Sequence, residues 1–350
     1  MVTLRLLLGG FGNVNRNLAR LLVSQRALLR AKYDLTLTIV GVADTSGARY
    51  DQAGIEPQSL LDARAAGRRV AQIGGVPGQT VAELVRRAQA DVLLGATPVS
   101  LADGEPGLSA ARLALQRGMS VVLADKGPLA LAYQELAALS DLGAGADRGN
   151  ARDWPALRFS AGVGGALPTI NLGMRDLAGA RVLRVEAVLN GTTQGILRRM
   201  EQGTGYAEAL AAMQAAGIAE TDPTLDVEGY DAAAKLTIVA NAVLGHPCTI
   251  HDVARQGILG LTADDLRAAR ARGAVIVLLG LAEPAGDGYT LSVAPSALPA
   301  DHPLARMSGD EMGIVYHTDI AGRLAASSLE VDATPTAAAM LRDLIGIAGR

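Results

Sequence analysis

The densest group of polar side chains lies where a helical pattern begins. Five acidic residues fall within positions 220–231, and Lys235 follows Asp231 by four positions. Residues four apart share one face of a helix, so the two side chains are expected to pair. Such a carboxylate can set the proton affinity of the lysine, which suits a general acid or base at a carbonyl or alcohol oxygen. Taken alone, the residues favour a simpler interpretation, an acidic first turn with a surface ion pair.

A glycine-rich turn follows the first predicted strand and opens a helix. It fills the place of the dinucleotide fingerprint G-x-G-x-x-G and consists of Gly10, Phe11, Gly12, Asn13 and Val14. The first glycine permits the tight turn, and the second lets backbone amides approach a pyrophosphate at the helix N-terminus. Asn15 replaces the third glycine, where a very small residue normally allows close packing. The turn predicts nucleotide binding, with an ordinary strand-to-helix turn as the alternative.

Further candidates stand where predicted strands end. Asp44 ends the second strand, where an acid can accept hydrogen bonds from an adenosine ribose and so favour NAD. Arg49, a few residues on, can instead bind the 2′-phosphate of NADP, so the sequence leaves the choice of cofactor open. Thr97 and Pro98 close a third strand, and Lys126 closes the next. The carboxyl ends of strands line the ligand crevice of open α/β sheets, so Lys126 is placed where cofactor and substrate would meet. A solvated loop lysine fits that position equally well.

The one cysteine lies close to two histidines. His246, Cys248 and His251 offer three metal ligands within six residues, but their spacing matches no zinc finger and no fourth ligand lies nearby in sequence. A loop after a helix is the better interpretation. His302 and His317 stand alone in the sequence, and without a partner they give no catalytic argument.

The elements that must position these residues follow two patterns. In the first 126 residues, short apolar runs alternate with helical spacings, which is typical of a doubly wound parallel sheet of the α/β class. The predicted strands are 3–8, 35–43, 91–96 and 120–124, and the predicted helices are 14–29, 60–66, 81–88, 108–116 and 129–139. A run of small and acidic residues at 143–150 then predicts a loop or a domain boundary.

Beyond residue 150 the pattern changes. Residues 183, 185, 187 and 189 are apolar and alternate with mixed residues, as in a sheet covered on one side, which is compatible with an isologous dimer. Predicted helices follow at 194–202, 206–216, 231–243 and 263–270, then strands at 314–318 and 323–330, and a last helix at 336–347.

Composition narrows the class of function. With 350 residues, 49% of them hydrophobic, the chain is long enough for two domains but has no apolar run of membrane-spanning length. A formal net charge of -3 and 3% aromatic residues argue against nucleic-acid binding. A single cysteine and the lack of a signal-peptide pattern indicate a reducing, cytoplasmic setting. Chemistry on a small molecule is the leading class.

Together these motifs resemble homoserine dehydrogenase along almost the whole chain. The turn at 10–14, the lysine-bearing segment at 122–130 and the glycine-rich run at 161–168 are similar to family segments in the same order. The two most specific matches are residues 189–197, similar to the Asn-Gly-Thr-Thr signature, and residues 220–235, similar to the substrate and catalytic segment.

The resemblance implies NAD(P)-dependent, reversible interconversion of L-homoserine and L-aspartate 4-semialdehyde, in the biosynthesis of threonine and methionine. Lys126 would contact both nicotinamide and substrate. Lys235 would exchange a proton with the reacting oxygen, and Asp231 would orient both groups. The remaining implied substrate ligands are Gly191, Thr192, Glu220 and Asp226.

The same resemblance implies a Rossmann-type NAD(P)-binding domain at 1–150, an α+β substrate and dimerisation domain at 151–330, and a C-terminal helix within 331–350 that returns to the first domain. It also implies a homodimer and a sodium site built from the backbone carbonyls of Val163, Gly165 and Leu167. No residues remain for a C-terminal regulatory ACT domain, so threonine feedback through such a domain is not expected.

The chain departs from the family pattern at several positions. Ser160 stands where a glutamate of the sodium site is usual, Asp125 replaces an asparagine beside the lysine, and Ile218 replaces a tyrosine. These changes leave two alternatives open: an oxidoreductase of a related amino-acid alcohol or semialdehyde, and a nucleotide-binding sensor that has lost catalysis. Retention of both candidate lysines argues against a sensor, which needs neither.

Overall fold

Apolar strands and amphipathic helices alternate in the first part of the chain, as the sequence predicts. The computed structural model describes residues 1–143, 150, 153–330 and 332–349. The backbone divides into two units: unit 1 consists of Met1–Ala166 with Asp332–Arg350, and unit 2 consists of Leu167–Val331. Residues 144–149 of the predicted glycine-rich loop lie outside the described residues, and the domain limits at 150 and 330 stay predictions.

Unit 1 is built on a seven-stranded sheet. Its strands are β1 (Val2–Gly9), β2 (Leu35–Asp44), β3 (Gly47–Tyr50), β4 (Val76–Pro77), β5 (Val92–Gly95), β6 (Ser120–Leu123) and β7 (Leu157–Arg158). The order is β4-β3-β2-β1-β5-β6-β7. The five strands β2-β1-β5-β6-β7 pair in parallel, whereas β3 pairs antiparallel with both β2 and β4. Leu6, Leu7 and Leu8 are fully buried, because helices cover both faces. The predicted doubly wound parallel sheet is confirmed.

The helices that connect these strands are α1 (Asn13–Ser24), α2 (Arg26–Tyr33), α3 (Pro57–Ala65), α4 (Val81–Arg87), α5 (Gly107–Gln116) and α6 (Gly127–Ala138). The prediction of a single helix at 14–29 is wrong, since the helix is interrupted at Gln25, which separates α1 from α2. Leu18, Leu22 and Leu29 belong to one apolar cluster across this break. The apolar spacing therefore continues where the helix does not, and periodicity alone could not reveal the break.

Unit 2 carries a six-stranded sheet. Its strands are β8 (Val182–Val188), β9 (Val253–Arg255), β10 (Ala274–Ala285), β11 (Gly288–Pro299), β12 (Met312–Thr318) and β13 (Arg323–Ser328). The order is β13-β12-β8-β10-β11-β9, and all pairs are antiparallel except β11 with β9. The sequence did not predict the β10–β11 hairpin, because β10 is a nearly continuous apolar run without alternation. Leu183, expected on the apolar face, is exposed where the register against β12 shifts.

The helices of unit 2 are α7 (Thr169–Asn171), α8 (Gly191–Glu201), α9 (Tyr206–Ala215), α10 (Thr224–Val227), α11 (Tyr230–Ala242) and α12 (Ala263–Ala271). Among them α11 is the most enclosed, since every residue from Asp231 to Asn241 is buried. It packs against β10 and β11, and its small and apolar residues fit a helix that is covered all round. Polar side chains on α11 are therefore held away from water.

The last helix, α13 (Thr334–Ala348), belongs to unit 1. Ala337, Met340 and Leu344 recur at helical spacing and join the apolar cluster that contains Leu18 and Leu22 of α1. Within the described ranges, no helix is long and apolar enough to cross a membrane.

Candidate active site

The turn between β1 and α1 borders a cavity in unit 1. Gly10 has a φ of +88°, and a Cβ atom there would collide with the carbonyl oxygen of Ala96. Around a Cβ position on Gly12, in contrast, the space within 4 Å is empty. Gly12 precedes α1 and offers no side-chain cap, so the first amides of the helix lack a side-chain acceptor. This arrangement suits a bound phosphate group.

The cavity has a volume of about 510 Å³, in the range of small-molecule sites. Asn13 and Val14 form the first turn of α1 beside it, and Lys126 immediately precedes α6. Two arginines also line it, Arg64 and Arg69, which belong to no motif and are not among the predicted site residues. The other residues predicted to bind the cofactor all line the cavity: Gly10, Phe11, Gly12, Asp44, Thr97 and Pro98.

Asn15 occupies the position of the third glycine. Its side chain is completely buried, and its amide nitrogen donates to the carbonyl oxygen of Gly10 at 2.7 Å and to that of Leu94 at 3.3 Å. The amide thus links the ends of β1 and β5 to the first turn of α1. Because it satisfies carbonyl groups at these strand ends, the larger side chain is accommodated without loss of the turn.

A buried carboxylate joins the ends of β5 and β6. The hydroxyl of Thr97 donates to Asp125 at 2.6 Å, and the amide of Gly127 donates to the other carboxylate oxygen at 3.0 Å. Burial raises the pKa of Asp125 to about 6, against the lowering effect of these bonds and of the charge of Lys126. Asp125 therefore fixes the backbone on either side of Lys126 relative to Thr97.

In unit 2, Lys235 and Asp231 form a buried ion pair on α11. Nζ of Lys235 lies 2.7 Å from Oδ2 of Asp231 and donates to the carbonyl oxygen of Leu189 at 2.5 Å. The two side chains are only 11% and 12% exposed, so the simpler interpretation of a surface ion pair is wrong. A buried charge pair is expensive to desolvate, which makes it weak as a stabilising device and a candidate for function.

Asn190 connects this pair to a second carboxylate. Its amide nitrogen donates to Asp231 at 2.9 Å and to Asp226 at 2.7 Å, while its oxygen accepts from the amide of Thr193 at 2.8 Å and caps α8. Burial, followed by the charge of Asp231, raises the pKa of Asp226. Asn190 is not among the site residues predicted from the sequence, although an asparagine directly before a helix is a signal of capping.

Gly191 and Thr192 begin α8 next to this cluster, whereas Glu220 lies apart. A Cβ on Gly191 would come within 2.7 Å of the carbonyl oxygen of Asp310, so another segment packs directly on the backbone there. Thr192 is buried. Glu220 is exposed; its backbone carbonyl accepts from Gln214, and its carboxylate bonds to none of the residues that the structure describes. The structure does not bring Glu220 into the buried cluster.

Comparison with known proteins identifies the family. The sequence model described as homoserine dehydrogenase matches residues 168–345. The NAD(+)-dependent homoserine dehydrogenase of Pseudomonas canavaninivorans is 38% identical, over 99% of this chain and 97% of that protein. The chain belongs to the homoserine dehydrogenase family.

Two further homoserine dehydrogenases agree along the whole length. That of Methanocaldococcus jannaschii is 35% identical, over 97% of this chain and 96% of that protein. A hyperthermophilic archaeal homoserine dehydrogenase mutant in complex with NADPH superposes with a TM-score of 0.81 at 25% identity, covering 98% of this chain and 97% of the solved one. The resemblance inferred from the sequence is confirmed.

The sodium site implied by the resemblance to homoserine dehydrogenase would lack a carboxylate at Ser160. The hydroxyl and amide of Ser160 both donate to Asp343 on α13, at 2.6 and 3.0 Å, and burial raises the pKa of that carboxyl. Val163 and Gly165 belong to unit 1 and Leu167 to unit 2. In the described part of the chain, no group of three His, Cys, Asp or Glu side chains is placed to hold a metal ion, and sodium binding stays a prediction.

The segment with Cys248 is a loop after α11, as predicted. Asn241 of α11 donates to the carbonyl oxygen of Cys248 at 2.8 Å. Burial raises the pKa of the Cys248 thiol to about 12, so the thiol stays protonated near neutral pH. A protonated thiol is a poor metal ligand and a poor nucleophile. The segment is therefore interpreted as a loop that Asn241 holds against the end of α11.

His302 and His317 are not isolated, contrary to the expectation from sequence. Their Nε2 atoms lie 3.2 and 2.8 Å from one oxygen of Glu186, while Arg184 donates to the other oxygen at 3.0 Å. Strand pairing between β8 and β12 brings His317 beside Glu186, whereas His302 comes from the turn after β11. Burial opposes ionisation, yet the bonds from the histidines and the charge of Arg184 lower the pKa of Glu186.

Proposed function

We propose that this chain is an NAD(P)-dependent homoserine dehydrogenase, which reversibly interconverts L-homoserine and L-aspartate 4-semialdehyde in the biosynthesis of threonine and methionine. The observation that carries the proposal is the buried pair of Lys235 and Asp231, found in a chain that belongs to this family. The open phosphate turn and the cavity of unit 1 support a dinucleotide cofactor.

Lys235 is assigned to exchange the proton at the reacting oxygen. The bound nicotinamide supplies the hydride chemistry, and the chain itself positions the groups and handles the proton. Asp231 holds the ammonium in place, and the carbonyl oxygen of Leu189 takes a second N–H. One N–H of the three is left for the substrate oxygen. An ammonium held away from water also offsets negative charge on the forming alkoxide.

Asp226 is assigned to the amino group of the substrate, with Gly191 and Thr192 as backbone and hydroxyl contacts. The same role for Glu220 stays a prediction from the family resemblance, because its exposed side chain lies outside the buried cluster. Asp226 suits this role because its carboxylate is partly buried beside Asp231, and a substrate ammonium would relieve the repulsion between them. Lys126 is assigned to contact both nicotinamide and substrate, with its backbone fixed by Asp125.

The direct test is initial-rate kinetics of the purified protein with homoserine and each oxidised cofactor, and with the semialdehyde and each reduced cofactor. We expect turnover in both directions. If folded protein binds cofactor but turns over neither substrate, the assignment fails and the sensor alternative is favoured. If other four- or five-carbon amino alcohols react faster than homoserine, the related oxidoreductase is favoured.

We further propose that the protein is a cytoplasmic homodimer. The alternating exposed residues of β13, an edge strand of the sheet in unit 2, support an interface between two copies. Light scattering of the purified protein tests the dimer. The same kinetic assay with and without sodium tests the ion site.

A further inference from the structure

One end of the nucleotide cavity carries more positive charge than a neutral ribose requires. Arg64 and Arg69 line the cavity together with Asp44 and Thr45, at the carboxyl end of β2. In sheets of this type, the adenosine ribose lies at that strand end. Two guanidinium groups and one carboxylate leave this end with a net positive charge.

The carboxylate of Asp44 is already engaged by its own loop. One oxygen accepts from the amide of Ser46 at 2.8 Å and from its hydroxyl at 2.5 Å, and the other accepts from the amide of Val70 at 3.2 Å. Burial opposes ionisation, yet these bonds and the charge of Arg64 lower the pKa of Asp44. Asp44 therefore stays ionised, and three protein donors compete with ribose hydroxyls for its oxygens.

The two arginines, in contrast, have donors to spare. Nε of Arg64 is buried and has no hydrogen-bond partner among the described residues. Arg69 is exposed and donates one N–H to the hydroxyl of Thr45 at 2.9 Å. Burial, followed by the charge of Arg64, lowers the pKa of Arg16, so positive charges crowd this region. Unused guanidinium donors beside crowded cations favour an anion at this end of the cavity.

Arg49, which the sequence suggested for this role, is used elsewhere. Its guanidinium donates to the carbonyl oxygen of Ile73 at 3.1 Å and lies 3.8 Å from a carboxylate oxygen of Asp51. It does not belong to the described residues that line the cavity. The charge available to a ligand comes from two residues that follow β3 in the chain, on and just after α3.

We propose that Arg64 and Arg69 bind the 2′-phosphate of NADP(H), so that this chain uses NADP(H) at least as efficiently as NAD(H). The proposal rests on the dehydrogenase function proposed above. A phosphate monoester offers three strong acceptor oxygens and a charge between −1.5 and −2, roughly, at neutral pH. These match the spare guanidinium N–H groups, which the single 2′-hydroxyl of NAD cannot satisfy.

The first test uses wild-type protein and two probes that differ only in the 2′-phosphate, adenosine 2′,5′-bisphosphate and adenosine 5′-monophosphate. Equilibrium binding by calorimetry is expected to show the bisphosphate bound about tenfold more tightly, as charge-assisted hydrogen bonds to two arginines require. Equal affinities, or tighter binding of the monophosphate, would overturn the proposal.

The second test compares Arg64→Gln and Arg69→Gln with Arg68→Gln, a matched control that exchanges a neighbouring exposed arginine outside the cavity lining. Each of the first two is expected to weaken NADPH binding by about tenfold and to change NADH binding by less than about twofold. The control is expected to change neither. Equal losses for both cofactors would contradict the assignment, and the exposed Arg69 supplies a readout even if Arg64→Gln does not fold.

Binding and turnover separate the two proposals. If the protein binds NADPH as expected but turns over no homoserine, the dehydrogenase function fails and the 2′-phosphate site stands. If it oxidises homoserine with NAD(+) but has only about a tenth of that kcat/KM with NADP(+), the 2′-phosphate site fails and the dehydrogenase function stands.

Discussion

Unit 2 holds two groups of charged side chains, and they shift the pKa of a carboxylate in opposite directions. On α11, the ammonium of Lys235 pairs with Asp231. The pKa of Asp226, on the neighbouring α10, is raised by burial and then by the charge of Asp231. On β8, the carboxylate of Glu186 faces two histidines and Arg184, which also pairs with Glu283, and the pKa of Glu186 is lowered.

The difference distinguishes a group that supports the fold from a group that is suited to binding a ligand. The group around Glu186 places an arginine and two histidines beside its carboxylate, so the folded state favours the charge that this carboxylate carries at neutral pH. The group on α11 concentrates negative charge where a ligand with an ammonium group could relieve it. A buried ion pair is therefore informative about function only when the sign of its neighbours is considered.

The largest contrast is expected in activity. Lys235→Ala should lower kcat by about 10² to 10⁴-fold, because it removes the proposed proton donor. Cofactor affinity should change by less than about twofold, and Glu186→Gln, the control in the other group, should keep kcat within about threefold. Stopped-flow rates and cofactor titrations measure both. A parallel loss of cofactor affinity in Lys235→Ala would remove this residue from the catalytic role.

The second contrast is in stability. Glu186→Gln should destabilise the protein by about 1–3 kcal/mol, because it removes the charged partner of His302 and His317 and leaves Arg184 with Glu283 alone. Asp226→Asn removes the partly buried one of two crowded carboxylates, so it should be neutral or stabilising by up to about 1 kcal/mol. Urea unfolding of both variants at pH 7 measures the two changes. Changes of the same sign and size would show that the two groups do not differ.

The third contrast is in the pH dependence of those differences. Since the pKa of Asp226 is raised on folding, its contribution to stability is present at low pH and is lost as the pH rises through its folded pKa. Since the pKa of Glu186 is lowered, its contribution is present at neutral pH and is lost as the pH falls through its folded pKa. Urea midpoints of wild type relative to each uncharged variant should therefore move in opposite directions with pH.

The smallest contrast is within the group on β8. The His317 side chain is 33% exposed, against 11% for His302, so solvent screens its interaction with Glu186 more strongly. His317→Gln should cost less than about 1 kcal/mol, and less than His302→Gln. Thermal unfolding of the two variants side by side gives the order, and the reverse order would refute the screening argument.

The features that the sequence predicted are those that depend on local spacing. The parallel sheet follows from alternating strand and helix patterns, and the pairing of Asp231 with Lys235 follows from four residues on one helix. What the sequence missed depends on contacts between distant segments. Asn190 reaches two carboxylates about 40 positions away, and the partners of Glu186 come from a neighbouring strand and a later loop.

Burial was the other quantity that spacing could not provide. The same arrangement of acid and lysine fits an exposed helix as well as an enclosed one, and only the packing of α11 against β10 and β11 decides between them. Glu220 shows the reverse case, because a residue in the matching segment remains exposed. The guanidinium groups of Arg64 and Arg69 belong to no motif, and only the cavity that they share relates them to a ligand.

The position of α13 has a consequence for the order in which the protein is made. Its residues complete the apolar cluster of unit 1 around Leu18 and Leu22, although they follow all of unit 2 in the chain. During synthesis, unit 2 is a continuous segment that emerges before α13 does. Unit 1 must therefore wait with part of its core uncovered until residues 334–348 have left the ribosome, and a chain cut short before them would expose that surface to aggregation.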